Sequence, residues 1–375
     1  MEAPELTSMG YWESGSVDLR LNPRREVEAG GLLDFLQKDC GVKQSVVLAT
    51  SGSTGGFKFV ILSKPALLAS AHSVVSHCGM DEEDVFLAGL SGFHVGGLGI
   101  FARACNTQAR LVDISDQGWD RKGEVMVASI REHGVTQTSL TPTHLYDLVR
   151  HGVEAPDSLR CVLLGGGRMD PRLIAEARAL GWPVRVSYGM TEASSQIATA
   201  GGDEIEWLPV LDCWNVRVGE DKRLSIRGEP LFTGYATRDE NGWSFDSGKD
   251  SDGWFLTGDH CEVRDGSLRF LGRADDLVKT SGEFVSVSEV DSRVASLARE
   301  AGYDAAILAG PDERRGMELI LVLETRDGNA AELFEGINQR LPGIEKASRW
   351  VCVEELPRTS IGKLDRAALD DLVRE

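Results

Sequence analysis

Residues 160–187, RCVLLGGGRMDPRLIAEARALGWPVRVS, decide the fold class. Two β-rich runs, Arg160–Leu164 and Pro183–Ser187, predict strands, because short apolar runs of this kind are typical of buried sheets. Between them, Pro171–Leu180 has helical spacing and begins with proline, which is favoured in the first turn of a helix. A strand, a helix and a strand in this order predict a βαβ unit with parallel strands.

The same alternation of strands and helices extends from Ser45 to about Glu192. Further strands are predicted at Ser45–Thr50, Val85–Leu90, Arg110–Ile114 and Thr136–Leu140. Helices are predicted after Ser63-Lys64-Pro65 and at Gly97–Asn106, Gly123–His133 and Pro142–Arg150. The alternation predicts an α/β fold whose large N-terminal domain holds a mostly parallel sheet.

The sequence pattern changes twice after this alternating region. Trp207–Leu271 lacks helical spacing and contains short strand patterns separated by turn residues, which predicts a small antiparallel β-unit. After Arg273, strand and helix patterns return over about 100 residues, enough for a separate α+β domain. We therefore predict a large domain at residues 1–272 and a small C-terminal domain at 273–375, with a hinge at Gly272–Asp276.

The predicted small domain contains four strands and three helices. The strands are expected at Phe284–Val287, Ala305–Ala309, Glu318–Glu324 and Trp350–Glu354. Ser288 is expected to cap a helix that ends near Glu300, and further helices are expected at Asn329–Leu341 and Asp365–Arg374.

Composition and charge exclude several classes of protein. The 375 residues carry a formal net charge of −19, which argues against a nucleic-acid-binding surface and against binding to anionic membranes. No apolar run approaches the roughly 20 residues of a membrane span, and the acidic N-terminus, MEAPELTSMG, does not read as a signal peptide. The seven cysteines are scattered and odd in number, so we expect thiols in a reducing compartment and a cytoplasmic location.

A glycine-rich loop, TSGSTGGFK at residues 50–58, follows the first predicted strand of the alternating region. Its glycines let backbone N–H groups turn inward, and its hydroxyls and Lys58 add further donors, which favours a bound phosphate. The spacing is not that of the common P-loop, and the dinucleotide pattern G-x-G-x-x-G is absent from it. The loop therefore predicts a phosphate site of another kind.

Four further stretches accompany this loop: SYGMTE at 187–192, GWFLTGD at 253–259, GRADDLVKTSGE at 272–283 and LPRTSIGKLDR at 356–366. Together and in this order, the five motifs resemble the core motifs of the adenylate-forming superfamily. Its members include acyl- and aryl-CoA synthetases, luciferases and nonribosomal adenylation domains. The resemblance covers roughly residues 45 to 370.

The resemblance implies an enzyme that activates a carboxylic acid with ATP. The acid attacks the α-phosphate, pyrophosphate leaves, and the acyl-adenylate passes its acyl group to a thiol. The implied cofactors are ATP, Mg²⁺ and CoA, and the implied partners are a small-molecule carboxylic acid and CoA. Members of the superfamily are often dimers, so the resemblance leaves a homodimer open.

The resemblance assigns the glycine-rich loop to the β- and γ-phosphates of ATP. The loop residues that it implies are Thr50, Ser51, Gly52, Ser53, Thr54, Gly55 and Lys58. Phe57 and Phe59 depart from the usual pattern, in which proline and glycine are common, but neither change removes a donor. We expect phosphate binding to be retained with altered loop mobility.

The other motifs imply the remaining site residues. Gly166, Gly167, Tyr188 and Gly189 would line the adenine, where a glycine turn leaves room and an aromatic ring stacks. Asp259 would accept the ribose hydroxyls, and Arg273 would reach the ribose or a phosphate. Gly282 would let the pantetheine arm of CoA pass close to the backbone. The resemblance also places a hinge near Asp275, about which a mobile small domain would rotate between the two half-reactions.

Three residues are implied in the chemistry of adenylation. Thr191 would offer its hydroxyl to a phosphate. Glu192 would be the magnesium carboxylate, and one suffices because Mg²⁺ takes its other ligands from phosphate and water. Lys363 would meet the substrate carboxylate and the α-phosphate, where a fixed ammonium stabilises the charge that develops in the transition state.

His94 bears on the choice of acid. Relatives that activate amino acids usually carry an aspartate at its position, to hold the α-ammonium, so His94 favours a plain acyl or aryl acid. It also resembles the histidine that borders the acyl and thiol channel of CoA ligases. Neutral donors for a second carboxylate could come from Thr141, Thr143, Ser194, Ser195 and Gln196, among which the sequence does not choose.

Two stretches, TSLTPTHL at 138–145 and VLLGG at 162–166, are similar to the o-succinylbenzoate–CoA ligases of menaquinone biosynthesis. The 49 residues before Thr50 fit an abbreviated ligase of that branch, since many superfamily members have well over 100 there. Alternatives are a ligase for another aryl or fatty acid and an acyl loader of a carrier protein. A nucleotide-binding pseudoenzyme is disfavoured, because Thr191, Glu192, Asp259, Arg273 and Lys363 are all present.

Overall fold

A computed structural model gives the fold. It describes residues 6–23, 27–51, 57–120, 122–167, 169–273, 277–280, 283–312, 314, 316–325, 329–358 and 364–374. Of the implied site residues, Gly52, Ser53, Thr54, Gly55, Gly282 and Lys363 lie outside this part of the chain, and so does the expected hinge residue Asp275.

The helices of the described residues are numbered α1 to α10. They are Met9–Glu13, Leu32–Asp34, Lys64–Cys78, Val95–Thr107, Glu124–His133, Pro142–Arg150, Pro171–Ala179, Val287–Glu300, Ala330–Gln339 and Arg366–Arg374. Short turns of other helix types lie at Phe35–Asp39, Thr191–Ala193 and Gly343–Glu345.

The strands of the described residues are numbered β1 to β21. They are Val17–Arg20, Ser45–Ser51, Phe57–Ser63, Val85–Ala88, Arg110–Asp113, Gln137–Leu140, Cys161–Leu164, Val184–Met190, Ser195–Thr199, Leu208–Pro209, Trp214–Val218, Arg223–Gly228, Gly234–Asp239, Gly242–Asp246, Phe255–Arg264, Ser267–Arg273, Leu277–Thr280, Glu283–Ser286, Asp304–Asp312, Gly316–Glu324 and Arg349–Val353.

A six-stranded sheet with the order β5-β4-β6-β7-β8-β9 forms the predicted α/β core. Its first five strands pair in parallel, and β9 runs antiparallel to β8. Strands β6 and β7 are buried along their whole length, as expected for a sheet that is covered on both faces. The mostly parallel sheet predicted from the sequence is confirmed.

The helices around this sheet begin and end where their local sequence dictates. The side chain of Ser63 accepts a hydrogen bond from Ala66 N–H at the start of α3, and Pro65 occupies its first turn. The same helix ends at Gly79, whose φ of 66° is the left-handed conformation that glycine adopts without strain. Asp170 caps α7 in the same way that Ser63 caps α3.

The predicted strand Ser45–Thr50 belongs to a different sheet, with the order β1-β2-β3-β13-β14. Here β2 pairs in parallel with β1 and antiparallel with β3, so its expected place in the parallel sheet is wrong. The chain after the glycine-rich loop returns as strand β3 before helix α3 begins. This hairpin, which the sequence reading missed, places Thr50 opposite Lys58.

The region Trp207–Leu271 forms strands, as predicted, but they divide between two sheets. Strands β10, β11, β12, β15 and β16 form a sheet with the order β10-β16-β15-β12-β11. The hairpin β13–β14 instead joins the sheet of β2 and β3, because β13 pairs antiparallel with β3. The prediction of one small β-unit at Trp207–Leu271 is therefore wrong, because its strands belong to two sheets.

The C-terminal elements follow the predicted order. Strands β17 to β20 form a sheet with the order β18-β17-β20-β19, and β21 pairs in parallel with β20. Helix α8 is capped by Ser286, whose side chain accepts from Glu289 N–H, and not by Ser288. The cap lies two residues earlier than predicted because strand β18 ends at Ser286 and the chain turns there directly into the helix.

The chain divides into two compact units. One comprises residues 1–219, 224–257 and 262–269, and the other comprises 220–223, 258–261 and 270–375. In the first unit, Leu32, Val47, Phe59 and Ile61 lie in a hydrophobic core beneath the β2–β3 hairpin. In the second, side chains of α8, α9, β19 and β20 pack together as a separate core.

Two further observations concern the whole described chain. None of its helices combines the length and the apolar character that crossing a bilayer requires. All seven cysteines lie within the described residues and are present as thiols.

Candidate active site

The candidate site in the first unit lies where parallel strands end. Loops leave the carboxyl ends of β4, β6, β7 and β8, which are neighbours in the sheet, and all of these ends meet at one edge. Ligands of open α/β sheets bind outside the carboxyl ends of the strands. The loops carry His94, Thr141, Gly165–Gly167 and Thr191–Glu192, so residues far apart in sequence share this edge.

The glycine-rich loop is held by a hairpin whose strands are in the described part of the chain. Thr50 lies in β2, and its hydroxyl donates to the carbonyl oxygen of Lys58 in β3, at 3.1 Å. Ser51 ends β2. Of the implied phosphate ligands, Thr50, Ser51 and Lys58 therefore lie at the two strand ends that flank residues 52–56.

Lys58 and Glu192 are connected through one tyrosine. The Lys58 ammonium lies 3.3 Å from the ring centroid of Tyr235. The hydroxyl of the same tyrosine donates to Oε1 of Glu192 at 2.9 Å. The first contact is a cation–π interaction and the second is a charge-assisted hydrogen bond, both of which are strong in a partly buried setting.

Glu192 has the properties that a magnesium ligand needs. Its side chain is half-buried, and the hydrogen bond from Tyr235 occupies one carboxylate oxygen, so the carboxylate has a second oxygen to offer a cation. Among the described residues, no group of three or more His, Cys, Asp and Glu side chains is placed to hold a metal. This donor set fits Mg²⁺ held by one carboxylate together with phosphate oxygens and water.

The backbone around Glu192 is strained. Thr191 and Glu192 lie in a short 3₁₀ turn, and the next residues, Ser194 and Ser195, have φ values of 51° and 119°. Such conformations cost side-chain-bearing residues about 1–3 kcal/mol each and cluster at functional sites. The strain is held in place partly by the Ser194 hydroxyl, which donates to the carbonyl oxygen of Pro230 at 2.7 Å.

Gly189 is required by a close approach of two backbones. A Cβ atom at this position would lie 1.7 Å from the carbonyl oxygen of Ser195. The reason is a shift in register between β8 and β9 at Tyr188 and Gly189. Tyr188 is half-buried in β8, immediately before this irregularity.

The turn Gly165–Gly167 after β7 is tightly packed. A Cβ at Gly165 would lie 2.8 Å from the hydroxyl of Ser187, and a Cβ at Gly167 would lie 3.2 Å from Pro142 at the start of α6. Gly166 has a φ of 77°, which favours glycine. The three glycines therefore keep the loops after β6 and β7 close together at the sheet edge.

His94 is placed by the first turn of α4. It is the residue before the helix, and its ring lies 4.8 Å from the ring of Phe93. Helix α4 starts so close to the preceding loop that a Cβ at Gly97 would lie 2.2 Å from the carbonyl oxygen of Ser91. The helix start thus brings His94 to the same sheet edge as Thr191 and Glu192.

A cleft of about 400 Å³ lies beside Phe93 and is lined partly by β1 and the loop after β5. Its charged side chains are Arg20 and three aspartates, Asp18, Asp113 and Asp116. Arg20 pairs with Asp18 at 2.7 Å, so the net charge of the lining is negative. This cleft is therefore unsuited to a phosphate or a carboxylate.

Of the five candidate donors for a second carboxylate, Thr141 and Gln196 accept hydrogen bonds within the protein, and Ser194 donates one. The Thr141 hydroxyl accepts from His144 N–H as the cap of α6, and Ser194 donates to Pro230 as described above. The side-chain oxygen of Gln196 accepts from the Thr199 hydroxyl at 2.6 Å. A single sequence carries no signal that separates these structural side chains from ligand-binding ones.

Asp259 and Arg273 lie in the second unit. The Asp259 carboxylate is buried, and its Oδ1 lies 3.5 Å from a guanidinium nitrogen of Arg273. Gly258 brings the two elements close, since a Cβ there would lie 3.1 Å from the same guanidinium group. The two residues that the motifs imply for the ribose are therefore paired with each other.

Two residues near Glu192 were missed by the sequence reading. Tyr235 is one, and Lys249 is the other: its ammonium donates to the carbonyl oxygens of Phe232 and Thr233 at 2.6 and 2.9 Å. Desolvation by burial lowers the pKa of Lys249. Alternation along β13 places Tyr235 on one face, but only the pairing of β13 with β3 reveals that this face meets Lys58.

Comparison with known proteins identifies the class. The AMP-binding enzyme family matches residues 43–228. The 2-succinylbenzoate–CoA ligase of Bacillus subtilis is 30% identical over 370 residues, which cover 92% of this chain and 71% of that protein. The chain belongs to the AMP-binding family of adenylate-forming enzymes.

Solved structures agree at the level of the fold. The o-succinylbenzoate–CoA synthetase of Bacillus subtilis in complex with its acyl-adenylate intermediate has a TM-score of 0.73 at 28% identity, covering 87% of this chain and 69% of that one. Its complex with ATP and magnesium ion has the same TM-score and identity, covering 87% and 70%. Within the family, this chain resembles the 2-succinylbenzoate–CoA ligases, as its motifs predicted.

Proposed function

We propose that this enzyme is an acid–thiol ligase that converts o-succinylbenzoate, ATP and CoA into o-succinylbenzoyl-CoA, AMP and pyrophosphate. This is a step of menaquinone biosynthesis. The observation that carries the proposal is the sheet edge where His94, Gly165–Gly167 and Thr191–Glu192 meet, on a chain similar to ligases for this acid. Lys58 and Glu192, joined through Tyr235, supply the cationic and metal-binding groups that a triphosphate needs.

In the first half-reaction, a carboxylate oxygen of the acid attacks the α-phosphorus of ATP. The bond to the bridging oxygen breaks, and pyrophosphate leaves with that oxygen. Backbone N–H groups of the glycine-rich loop, Lys58 and the Thr191 hydroxyl hold the phosphates, and Lys363 stabilises the charge that develops between acid and α-phosphate. Magnesium held by Glu192 neutralises phosphate charge when it is bound with ATP.

The nucleotide is oriented by residues that do not react. Tyr188 offers its ring face to adenine beside the turn Gly165–Gly167, where the absence of side chains leaves room. Asp259 accepts hydrogen bonds from the ribose hydroxyls. Arg273, which already pairs with Asp259, neutralises that carboxylate and reaches the ribose or a phosphate.

In the second half-reaction, the CoA thiolate attacks the carbonyl carbon of the acyl-adenylate, and AMP leaves with the bridging oxygen. His94 borders the path of the acyl group and the thiol. Gly282 lets the pantetheine arm pass, after the small domain rotates about a hinge at Asp275. Rotation of this kind is a conformational step that many enzymes use between half-reactions.

The second carboxylate of the acid needs donors of its own. The Ser194 hydroxyl donates to Pro230, so we do not favour it. The hydrogen bonds of Thr141 and Gln196 use their acceptor oxygens and not their donor groups, so Thr141, Thr143, Ser195 and Gln196 stay candidates. We also propose a cytoplasmic location, because the seven cysteines are thiols and ATP and CoA are the co-substrates.

We propose a homodimer on the basis of the family resemblance. Analytical ultracentrifugation or light scattering would measure the molecular mass in solution and so test it.

The test is release of AMP in the presence of CoA across a panel of acids that includes o-succinylbenzoate, benzoate and a medium-chain fatty acid. We expect o-succinylbenzoate to give the highest kcat/KM, and Glu192→Gln to abolish most of that activity. A higher kcat/KM for another acid would replace the proposed substrate while keeping the class. Tight ATP binding without release of AMP for any acid would overturn the ligase function.

A further inference from the structure

Three side chains of the first unit form a continuous chain of contacts: the Lys58 ammonium, the Tyr235 ring and hydroxyl, and the Glu192 carboxylate. The two contacts measure 3.3 Å to the ring centroid and 2.9 Å between oxygens. Lys58 belongs to the glycine-rich loop, and Glu192 belongs to the turn after β8. Tyr235 therefore connects the group proposed for the phosphates with the group proposed for the metal.

The sheet register places Tyr235 between its two partners. Tyr235 pairs with Val60, and Lys58 lies two residues from Val60 on the same face of β3. Residues in this diagonal relation are neighbours that long side chains can span. The ring of Tyr235 thus lies under the Lys58 side chain because of the pairing between β13 and β3.

The surroundings of Tyr235 hold its ring in one position. It is 6% exposed, and its ring centroid lies 4.6 Å from that of Phe232. Gly248 has room for no side chain, since a Cβ there would lie 2.9 Å from Phe232 and 3.0 Å from Tyr235. The backbone N–H of Phe232 donates to the carbonyl oxygen of Glu192 at 2.8 Å, so the ring and the glutamate are also connected through the main chain.

We propose that Tyr235 is a positioning residue that prepares the site for the metal–ATP complex, an inference that rests on the proposed function. Its hydroxyl holds one oxygen of the Glu192 carboxylate and so fixes the rotamer that presents the other oxygen to Mg²⁺. Its ring holds the Lys58 ammonium before the triphosphate arrives. Holding both groups in advance lowers the ordering cost of binding.

A purely structural role for Tyr235 predicts different consequences. A tyrosine that only fills space would stabilise the fold, and its hydroxyl would affect ATP binding equally with and without metal. A positioning role through Glu192 predicts that loss of the hydroxyl weakens only the part of ATP binding that depends on the metal. Titration calorimetry of ATP binding, with Mn²⁺ or with EDTA, separates the two without using activity.

The decisive variant is Tyr235→Phe, which keeps the ring and removes the hydroxyl. Because the lost hydrogen bond is made to a charged group, we expect about tenfold weaker ATP binding in the presence of Mn²⁺. In EDTA, where Glu192 holds no metal, we expect ATP binding to be unchanged. In the double variant with Glu192→Gln, the effect of Tyr235→Phe should vanish, because the carboxylate that it acts through is gone. Equal weakening with and without metal, no weakening, or additive effects in the double variant would each overturn the proposal.

Tyr11→Phe is a matched control. The Tyr11 hydroxyl donates to Asp18 at 2.7 Å, and its ring lies 4.2 Å from the Lys64 ammonium, so it makes the same two kinds of contact elsewhere in the unit. It should lower the melting temperature without changing the metal dependence of ATP binding. A similar change of metal dependence in both variants would overturn a specific role for Tyr235.

Tyr235→Leu tests the part of the proposal that concerns the ring. It should weaken ATP binding in EDTA severalfold, unlike Tyr235→Phe, and this extra effect should disappear in a Lys58→Met background. No extra loss relative to Tyr235→Phe would overturn the role of the ring. These titrations contain no acid and no CoA. Their outcome is therefore independent of the acid panel, which tests the ligase function.

Discussion

Gly189 lies at the register shift between β8 and β9, where the two backbones approach closely. The residue belongs to the motif that carries Tyr188 and Glu192, and the approach of its backbone to the carbonyl oxygen of Ser195 explains why the motif needs glycine there. The strained Ser194 and Ser195 follow at once. At the scale of single residues, the site is thus shaped by backbone contacts as much as by side chains.

We predict that Gly189→Ala destabilises the first unit and weakens ATP binding. The added methyl group forces two backbones apart, at a cost of about 3 kcal/mol in the free energy of unfolding. Urea denaturation and ATP titration measure the two effects. Gly201→Ala is the control, because a Cβ there has nothing within 4 Å and should change neither quantity; similar results for both variants would contradict the explanation.

His144 makes stability depend on pH. It is buried, and desolvation lowers its pKa to about 4. The unfolded state takes up a proton near the ordinary value of about 6.5 and the folded state does not, so stability is complete above that pH and falls as the pH decreases towards 4. The predicted loss that is due to this one group is about 3 kcal/mol at most.

His144→Gln should flatten the pH dependence of the unfolding free energy between pH 7 and pH 4.5. Glutamine does not titrate, and its oxygen can still accept from the Thr141 N–H that His144 Nδ1 accepts from. Urea denaturation at several pH values measures the slope. The exposed His72 serves as the control, and His72→Gln should keep the wild-type slope; a wild-type slope for His144→Gln would contradict the assignment.

At the scale of elements, local signals predicted helices well. The caps Ser63, Thr141 and Asp170 lie where a polar residue precedes an early proline, and the helices begin there. The predicted cap of α8, Ser288, was wrong. Ser286 and Ser288 are both plausible caps by sequence, and the end of β18 at Ser286 decides between them. Strand pairing is non-local. The sequence therefore did not predict that the hairpins β2–β3 and β13–β14 belong to one sheet.

Lys64 ties the N-terminal segment to helix α3. Its side chain is fully buried, and its ammonium donates to the carbonyl oxygen of Tyr11 and to the hydroxyls of Ser14 and Ser16, at 2.9, 2.7 and 3.0 Å. Desolvation lowers its pKa, while the three acceptors and the ring of Tyr11 satisfy the ammonium. The segment 8–16 is therefore organised around one cation.

Lys64→Met should lower the free energy of unfolding by about 3 kcal/mol, because buried acceptors lose their donor. It should also speed proteolytic cleavage within residues 8–16. Lys38→Met is the matched control, because Lys38 is 72% exposed in an ion pair with Asp34 and should contribute less than about 0.5 kcal/mol. Equal stability of the two variants would show that Lys64 does not hold the segment.

At the scale of the whole molecule, the proposed mechanism needs residues from both ends of the chain. Glu192 and Lys58 lie in the first unit, while Lys363 is near the C-terminus and lies outside the described residues. The net charge of −19 repels ATP, the acid and CoA at long range, so a few local cations must hold them. The hinge at Asp275 and the boundary between residues 272 and 273 stay predictions.

We predict that Lys363→Ala slows adenylation about 100-fold or more and spares thioester formation, because the ammonium acts on charge that develops only in the first half-reaction. Pyrophosphate exchange measures adenylation, and supplied acyl-adenylate with CoA measures the second step. Lys346→Ala, an exposed lysine of the same unit, should leave both rates unchanged. Equal loss in the two half-reactions would contradict the role of Lys363.

The sequence by itself determined the α/β class, the order of elements, the adenylate-forming family and the motif residues, because these depend on local spacing and on contiguous motifs. The tertiary structure decided which strands share a sheet, why Gly189 must be glycine, and that the Ser194 hydroxyl already donates to Pro230. It also brought Tyr235 between Lys58 and Glu192. The position of Tyr235 depends on pairing between segments more than 170 residues apart, and no local pattern in one sequence encodes such a pairing.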